Sequence, residues 1–220
     1  MPYLRPDGSL DVAFELDGWQ LFAAWLERQE LLPGAEGKLA ELRTDSTNVV
    51  RSRWSLETLA QDPVVAGLRQ LFKACGTHPS RYRPSSEALI RRLLKGDEMP
   101  SISPLVDVNN CLSARLAVPC CVMAEGTFDG PFVFRRGGEG EQYESLRGPF
   151  RLEGRPLLVD AHGPCDAPIT GSERVKVGEE TPRALLVAYL PAADLSLDGA
   201  SAELDGILEV VGPLVQRAPT

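Results

Sequence analysis

PLVDVNNCLSARLAVP, residues 104–119, decides how this chain is read. Leu105, Val106 and Val108 have the look of a short buried strand, and the run from Leu112 onward reads as the helix it feeds. Asp107 interrupts the valines and Asn109-Asn110 follow at once. A strand running into a helix does not need three polar residues at the join. They are either turn chemistry, because Asp and Asn side chains fold back on nearby backbone, or they face a ligand, to which Asn offers both a donor and an acceptor.

Upstream of this stretch the signals are helical. VVAGLRQLFKACG (64–76) places Leu68, Leu71, Phe72 and Cys75 at helical spacing and ends on Gly76, a typical stop. SRYRPSSEALIRRLLKG (80–96) carries Leu89 with Leu93 and Ile90 with Leu94, two apolar pairs one turn apart. Pro84, Ser85 and Ser86 start that helix, Glu87 lies in its first turn, and Arg91, Arg92 and Lys95 crowd its end before Gly96. LDVAFELDGWQLFAAWLERQEL (10–31) is ambiguous: Phe22 to Leu26 fits a buried strand or a helix core, with a stop at Pro33 and Gly34.

Downstream the character changes to strands. FDGPFVFRRGGEGEQYESL (128–146) reads as a hairpin turning at Gly137–Gly140. RPLLVDAHG (155–163) is a strand entering a loop, and RALLVAYL (183–190), between Pro182 and Pro191, is a central strand. In GSERVKVGEET (171–181), Arg174 and Lys176 alternate with Val175 and Val177 as on a half-buried strand edge. AELDGILEVVGPLVQRA (202–218) sets Leu204, Ile207, Leu208 and Val211 on one helical face. Helices first and mixed strands after them indicate an α+β fold, a single domain over 1–220 with a mixed sheet and flanking helices.

At 220 residues the chain can bury a full core without staples. Its start has neither the basic residues nor the apolar run of a secretory signal, and no stretch is apolar enough to span a membrane. The five cysteines, Cys75, Cys111, Cys120, Cys121 and Cys165, form no CxxC pair. They read as reduced thiols and place the protein in the cytoplasm. A net charge of −8 argues against a general nucleic-acid binder and against a DNA partner. The charge is uneven, however: from Arg43 to Lys95 ten Lys and Arg face four acids, a local +6 on an otherwise acidic chain. Such a segment is either a solvated helical face or a docking face for a phosphate backbone.

The loop HGPC (162–165) groups His162 and Cys165 between Asp160 and Asp166. A zinc site needs about four ligands, and the only other histidine is His78, so neither a metal nor a cofactor is expected. A Cys–His nucleophilic pair would need contact that closeness in sequence does not supply. GGEG lacks the strand, spacing and lysine of a phosphate loop. The residues alone leave enzyme and binding module both open.

Taken together, RYRPSSEALIRRLLKG, SISPLVDVNNCLSARLAVP, FDGPFVFRRGGEGEQYESL and SERVKVGEETPRALLVA resemble the tRNA-editing domain of the phenylalanyl-tRNA synthetase beta subunit, and more closely the small free-standing proteins made of that domain alone. The resemblance covers roughly residues 64–195. It implies the mixed fold of that domain, hydrolysis of an amino acid wrongly attached to tRNA as in a double sieve, and the acceptor end of tRNA as partner. Substrate contacts are implied for Asp107, Asn109 and Asn110, with Asn109 standing where the family has Thr. The family's pocket His falls on Cys121, and the acid that recognises the tyrosine hydroxyl falls near Val187. Its Gly-rich loop falls on Ala167 and Pro168 with Gly171 nearby. A pocket without that acid should not select tyrosine. Editing of this kind relies on a positioned water and the terminal ribose, so no side chain is assigned as nucleophile. Phosphate contacts fall to Arg81, Arg83, Arg91, Arg92, Arg174 and Lys176. The first expectation is therefore a deacylase acting in trans. The second is a module that binds tRNA or an amino acid without chemistry, and the third a hydrolase or ligand-binding protein unrelated to RNA. Oligomeric state stays open. All of this depends on the polar trio opening into a cleft.

Overall fold

The continuous apolar run Leu21–Leu26 is buried on both faces, which only a central strand or a buried helix allows, and its partners make it a strand. The computed structural model of the chain describes residues 3–29, 36–212 and 214–218. In chain order the elements are β1 (Val12–Phe14), β2 (Trp19–Arg28), α1 (Glu36–Arg53), α2 (Pro63–Ala74), α3 (Ser85–Leu94), α4 (Pro104–Leu116) and β3 (Cys120–Ala124). Then come β4 (Phe132–Arg136), β5 (Gln142–Ser145), β6 (Gly148–Arg151), β7 (Pro156–Asp160), β8 (Gly163–Ala167), β9 (Thr170–Gly171), β10 (Arg183–Pro191), α5 (Leu197–Val211) and β11 (Val215–Arg217). The stop expected at Pro33 and Gly34 lies outside the described residues.

Two main sheets share one core. The first is antiparallel in the order β11-β2-β10-β3, with β10 between two neighbours and buried from Ala184 to Pro191. The second runs β1-β4-β7-β8-β9, with β1 parallel to β4 and the rest antiparallel. Trp19, Phe134 and Tyr189 join them, with ring centroids 5.2 Å apart for Trp19–Phe134 and 5.6 Å for Phe134–Tyr189. Helices α1, α4 and α5 pack together over the first sheet, and α3 packs on α1 and α4. Five α-helices and mixed sheets among the described residues make the fold α+β, as expected.

The opening stretch is not a strand feeding a helix. Pro104 to Leu116 is one helix, started by Ser103 in an extended conformation and Pro104 in the first turn, and ended by Ala117 in the left-handed region at φ 59°. The apolar spacing was already helical: Leu105, Val108, Leu112 and Leu116 are buried on one side, with Cys111 beside them. Paired valines had suggested a strand, but packing between α1 and the first sheet outweighs their weak intrinsic preference. Asp107 therefore sits in the first turn, where the helix dipole favours a negative charge.

Three other expectations are corrected. Residues 128–146 contain two strands that do not pair: β4 joins β1 and β7, while β5 joins β6 in a separate ribbon. At Gly137 the chain crosses Leu152 so closely that a Cβ would lie 2.0 Å from its carbonyl oxygen, so the glycine serves a backbone crossing rather than a hairpin turn. Residues 173–175 form a 3₁₀ turn, not a strand edge, with the Ser172 hydroxyl accepting from the Arg174 amide at 3.1 Å. The last helix is Leu197–Val211, and Val215–Arg217 instead extends the first sheet beside β2. The helices read at 64–76 and 80–96 are present, with Gly76 and Gly96 at φ 85° and 105° past their ends.

Candidate functional site

Where α3, α4, β3, β8 and the segment after β9 meet, they leave a cavity of about 680 Å³. Helical geometry decides which residues of α4 reach it. Val106, Asn109, Asn110 and Ser113 lie three and four residues apart on one face and line the cavity, while Leu105, Val108 and Leu112 face the core. From β3 come Cys120, Cys121 and Val122, and from the end of β8 come Asp166 and Ala167. Gly171 of β9 lines the wall opposite Asp166, its cross-strand partner.

Polarity is graded along the cavity. Ile102 and Leu146 lie at its mouth, and at 59 % and 55 % exposure they are the two most exposed large hydrophobic residues among those described. The cations Arg92, Arg147 and Lys176 line it with them, all three exposed. Inside are buried polar groups: Asn109 at 7 % exposure and Asp166 at 2 %. The Asn109 amide nitrogen donates to Asn110 Oδ1 at 3.4 Å, but Asn109 Oδ1 has no partner, and neither has the buried Ser103 hydroxyl. These are two of the three buried side-chain polar atoms left unpaired among the described residues, and both belong to the cavity wall. Buried polar atoms are almost always paired, so a wall holding two such orphans is shaped for a polar occupant.

Asp166 is the most perturbed acid here. Its carboxyl accepts the Tyr189 hydroxyl at 2.6 Å. Burial pushes it up to about 7, and the hydrogen bonds from Tyr189 and Cys121 restrain the rise. The same burial, with the Asp166 carboxyl beside it, pushes the Cys121 thiol well above its ordinary value, and Cys120 is raised in the same way. These thiols stay protonated at neutral pH and are poor nucleophiles. Cys121 lies 3.8 Å from the Tyr189 hydroxyl, so thiol, phenol and carboxyl form one buried cluster.

The residues singled out in the sequence separate into two groups. Asn109, Asn110, Cys121, Ala167 and Gly171 line the cavity. Pro168 is buried beside it, its carbonyl accepting the Ser85 amide at 3.0 Å. Asp107 does not reach the cavity: it pairs with Arg43 at 2.5 Å and accepts the Ile102 amide at 2.8 Å. It thereby ties down the residue that forms one lip of the mouth. Val187 is fully buried opposite Cys121 in the sheet.

Of the cations, Arg92 and Lys176 line the cavity, and Lys176 is ion-paired with Glu173. Arg81 lies 5.3 Å from the Tyr82 ring and Arg83 lies 3.7 Å from Glu87, both outside the cavity wall. Arg91 is half-buried and also outside it. Arg174 grips the fully buried Asp160 carboxylate with two nitrogens, at 2.9 and 3.1 Å, and donates to the carbonyls of Thr127, Gly163 and Pro164. That network fixes the turn at the cavity's edge. His162 and Cys165 are engaged separately, His162 with Asp129 at 3.0 Å and Cys165 with the Leu158 carbonyl at 3.3 Å. Among the described residues no group of three or more His, Cys, Asp or Glu is placed to hold a metal ion, and no helix is long and apolar enough to cross a membrane.

Sequence reasoning passed over Asp166 as a cavity residue. It weighed the Asp only as a neighbour of the HGPC loop, and nothing in the local sequence marks Tyr189, 23 residues on, as its partner. The one available signal was an acid followed by Ala167, already assigned to the pocket.

An α+β domain whose helices and main sheets border a polar-walled cavity is the class these observations define. The chain belongs to the B3/4 domain family, whose model matches residues 67–197 and so contains every residue named above as lining the cavity. Among solved structures, an N-terminal fragment of the phenylalanyl-tRNA synthetase beta-subunit from Pyrococcus horikoshii is similar at 13 % identity and a TM-score of 0.42, over 89 % of this chain and 46 % of that one. The chain thus spans less than half of that fragment's length. No curated protein matches it.

Proposed function

We propose that the chain hydrolyses the ester of a mischarged aminoacyl-tRNA in trans, with the acceptor end entering the cavity. The observation that carries this reading is the gradient of polarity: cations and exposed apolar side chains at the mouth, amide and carboxyl groups within. A nucleotide terminus offers the complement, phosphates for Arg92 and Arg147 and a base for Ile102 and Leu146, with a small polar acyl group going inside. The location of the cavity in the B3/4 segment, and the resemblance of that segment's sequence to a tRNA-editing domain, favour tRNA as the source of that terminus.

In this reading Asn109 and Asn110 bind the aminoacyl ester, Asn109 Oδ1 being free to accept. Burial raises both thiols and so disfavours a cysteine nucleophile at neutral pH. Water therefore adds to the ester carbonyl, the carbon–oxygen bond to the ribose breaks, and the ribose oxygen takes the proton. An aminoacyl ester is reactive enough that positioning alone supplies a large share of the rate. The test is a panel of correctly and wrongly charged tRNAs. Release of the amino acid from at least one, reduced tenfold or more by Asn110→Ala, is expected. No release from any charged tRNA would overturn the reading. The competing reading, a module that binds without chemistry, is favoured by one observation: no histidine lines the cavity and its thiols are protonated. Salt-dependent tRNA binding with no turnover selects it.

A further inference from the structure

The buried carboxyl of Asp166 is met by neutral donors alone, the Tyr189 hydroxyl, the Cys121 thiol and the Ala167 amide. Oδ2 takes the Tyr189 hydroxyl. Oδ1 lies beside the space above Gly171, where a Cβ would come within 3.5 Å of it. Gly171 and Asp166 face each other across β8 and β9, and both line the cavity. The groups acting on Asp166 are Tyr189, Cys121 and the Ala167 backbone, and no cation is among them. The cavity's own cations are held elsewhere or exposed: Lys176 is paired with Glu173, and Arg92 and Arg147 face solvent. An acid this deep, with one oxygen reached through the cavity and no countercharge, lacks a cationic partner of a size that fits beside a glycine. The thiols and phenol around it are neutral and cannot supply one.

We propose that Asp166 is a subsite for a primary ammonium group, so that the cavity accepts ligands with a free amino group and rejects their N-acylated counterparts. This rests on the reading above, where the group is the amino group of the aminoacyl ester. It adds a selection that reading does not contain: aminoacyl-tRNA is admitted, and peptidyl-tRNA or N-formyl-aminoacyl-tRNA is turned away. An ammonium donates to Oδ1 and neutralises the buried charge. Its N-acyl form has lost the charge and carries bulk into a space bounded by Gly171 and the Leu146 side chain, which a Cβ at 171 would meet at 3.4 Å.

The experiment measures binding by calorimetry at pH 7 with two matched pairs. One is 3′-alanylamino-3′-deoxyadenosine and its N-acetyl form; the other is L-alaninamide and N-acetyl-L-alaninamide. The free amines are expected to bind at least tenfold more tightly than their acetylated partners. Asp166→Asn, which keeps an acceptor for Tyr189, should bring each pair within about threefold. Gly171→Ala, whose Cβ finds no contact closer than 3.4 Å and whose backbone is not left-handed, should do the same with an unchanged melting temperature. It keeps the test decisive if the first variant is unstable. Equal binding of amine and amide forms would overturn the subsite and leave the tRNA reading standing. Discrimination within the alaninamide pair, with neither adenosine compound bound, would keep the subsite and refute the tRNA reading. Binding of none of the four overturns the subsite.

Discussion

Replacing Asp166 by Asn should change how the stability of this protein depends on pH. In the folded chain burial raises the carboxyl from 3.8 to about 7. Between those values the native state holds a proton that the unfolded state has lost. The unfolded chain then binds fewer protons, so stability falls as pH rises, by about 1.4 kcal/mol per pH unit, and levels off above about pH 7. The whole effect is about 4 kcal/mol, of which about 2–3 kcal/mol falls between pH 5 and pH 8. The groups facing Asp166 do not titrate in that range: Tyr189, Cys121, Cys165 and Tyr143 are all pushed upward by burial and stay protonated. Glu141, held low by Arg135, changes charge below this window, where its effect has the opposite sign. Asparagine cannot ionise yet still accepts the Tyr189 hydroxyl. Urea unfolding of both proteins at pH 5, 6, 7 and 8 should therefore show the variant gaining about 2–3 kcal/mol on the parent across the series, whatever their difference at pH 5. Parallel pH profiles would refute the reasoning, since they would mean that the carboxyl ionises as easily in the folded chain as in water. The same carboxyl is the one proposed to meet an ammonium, so a bound amine should offset most of the stability the parent loses between pH 5 and pH 7.

Two further outcomes follow from the cations. Arg174→Ala leaves Asp160, whose side chain is fully buried, with only the amides of His162 and Asp129, and should cost about 3 kcal/mol in urea unfolding; a loss below 1 kcal/mol would show that the pair is not structural. Arg92→Ala with Arg147→Ala should lower the slope of log affinity for tRNA against log salt by roughly one per phosphate contact removed, and an unchanged slope would take those two residues out of the interface.

Much of the fold was legible from local pattern. Leu68, Leu71 and Phe72, and Leu89, Ile90 and Leu93, read as helical faces, because combined three- and four-residue spacing gathers on one side of a helix but alternates sides in a strand. Ala184 to Tyr189 had to be a central strand, being apolar on both faces and closed by prolines. Asn109 and Asn110 drew notice as polar residues amid apolar ones, and the cavity is where they lie. Other features depended on distance in space. Leu105 to Val108 taken alone satisfies either period, and it coils because α1 and the first sheet close over the side that Leu112 and Leu116 continue. The partners of β4 and β5 were chosen by a backbone crossing at Gly137 that no local rule reports. Asp107 and Asp166 show the division most clearly. Both are acids beside apolar residues, and sequence alone treats them alike. Tertiary packing brings Arg43 to the first and makes it a fixed support for Ile102. It brings the second only a phenol and thiols, and so leaves a desolvated carboxyl open to a cavity. What a charge does depends on which groups lie within a few ångströms of it, and only the folded chain sets those distances.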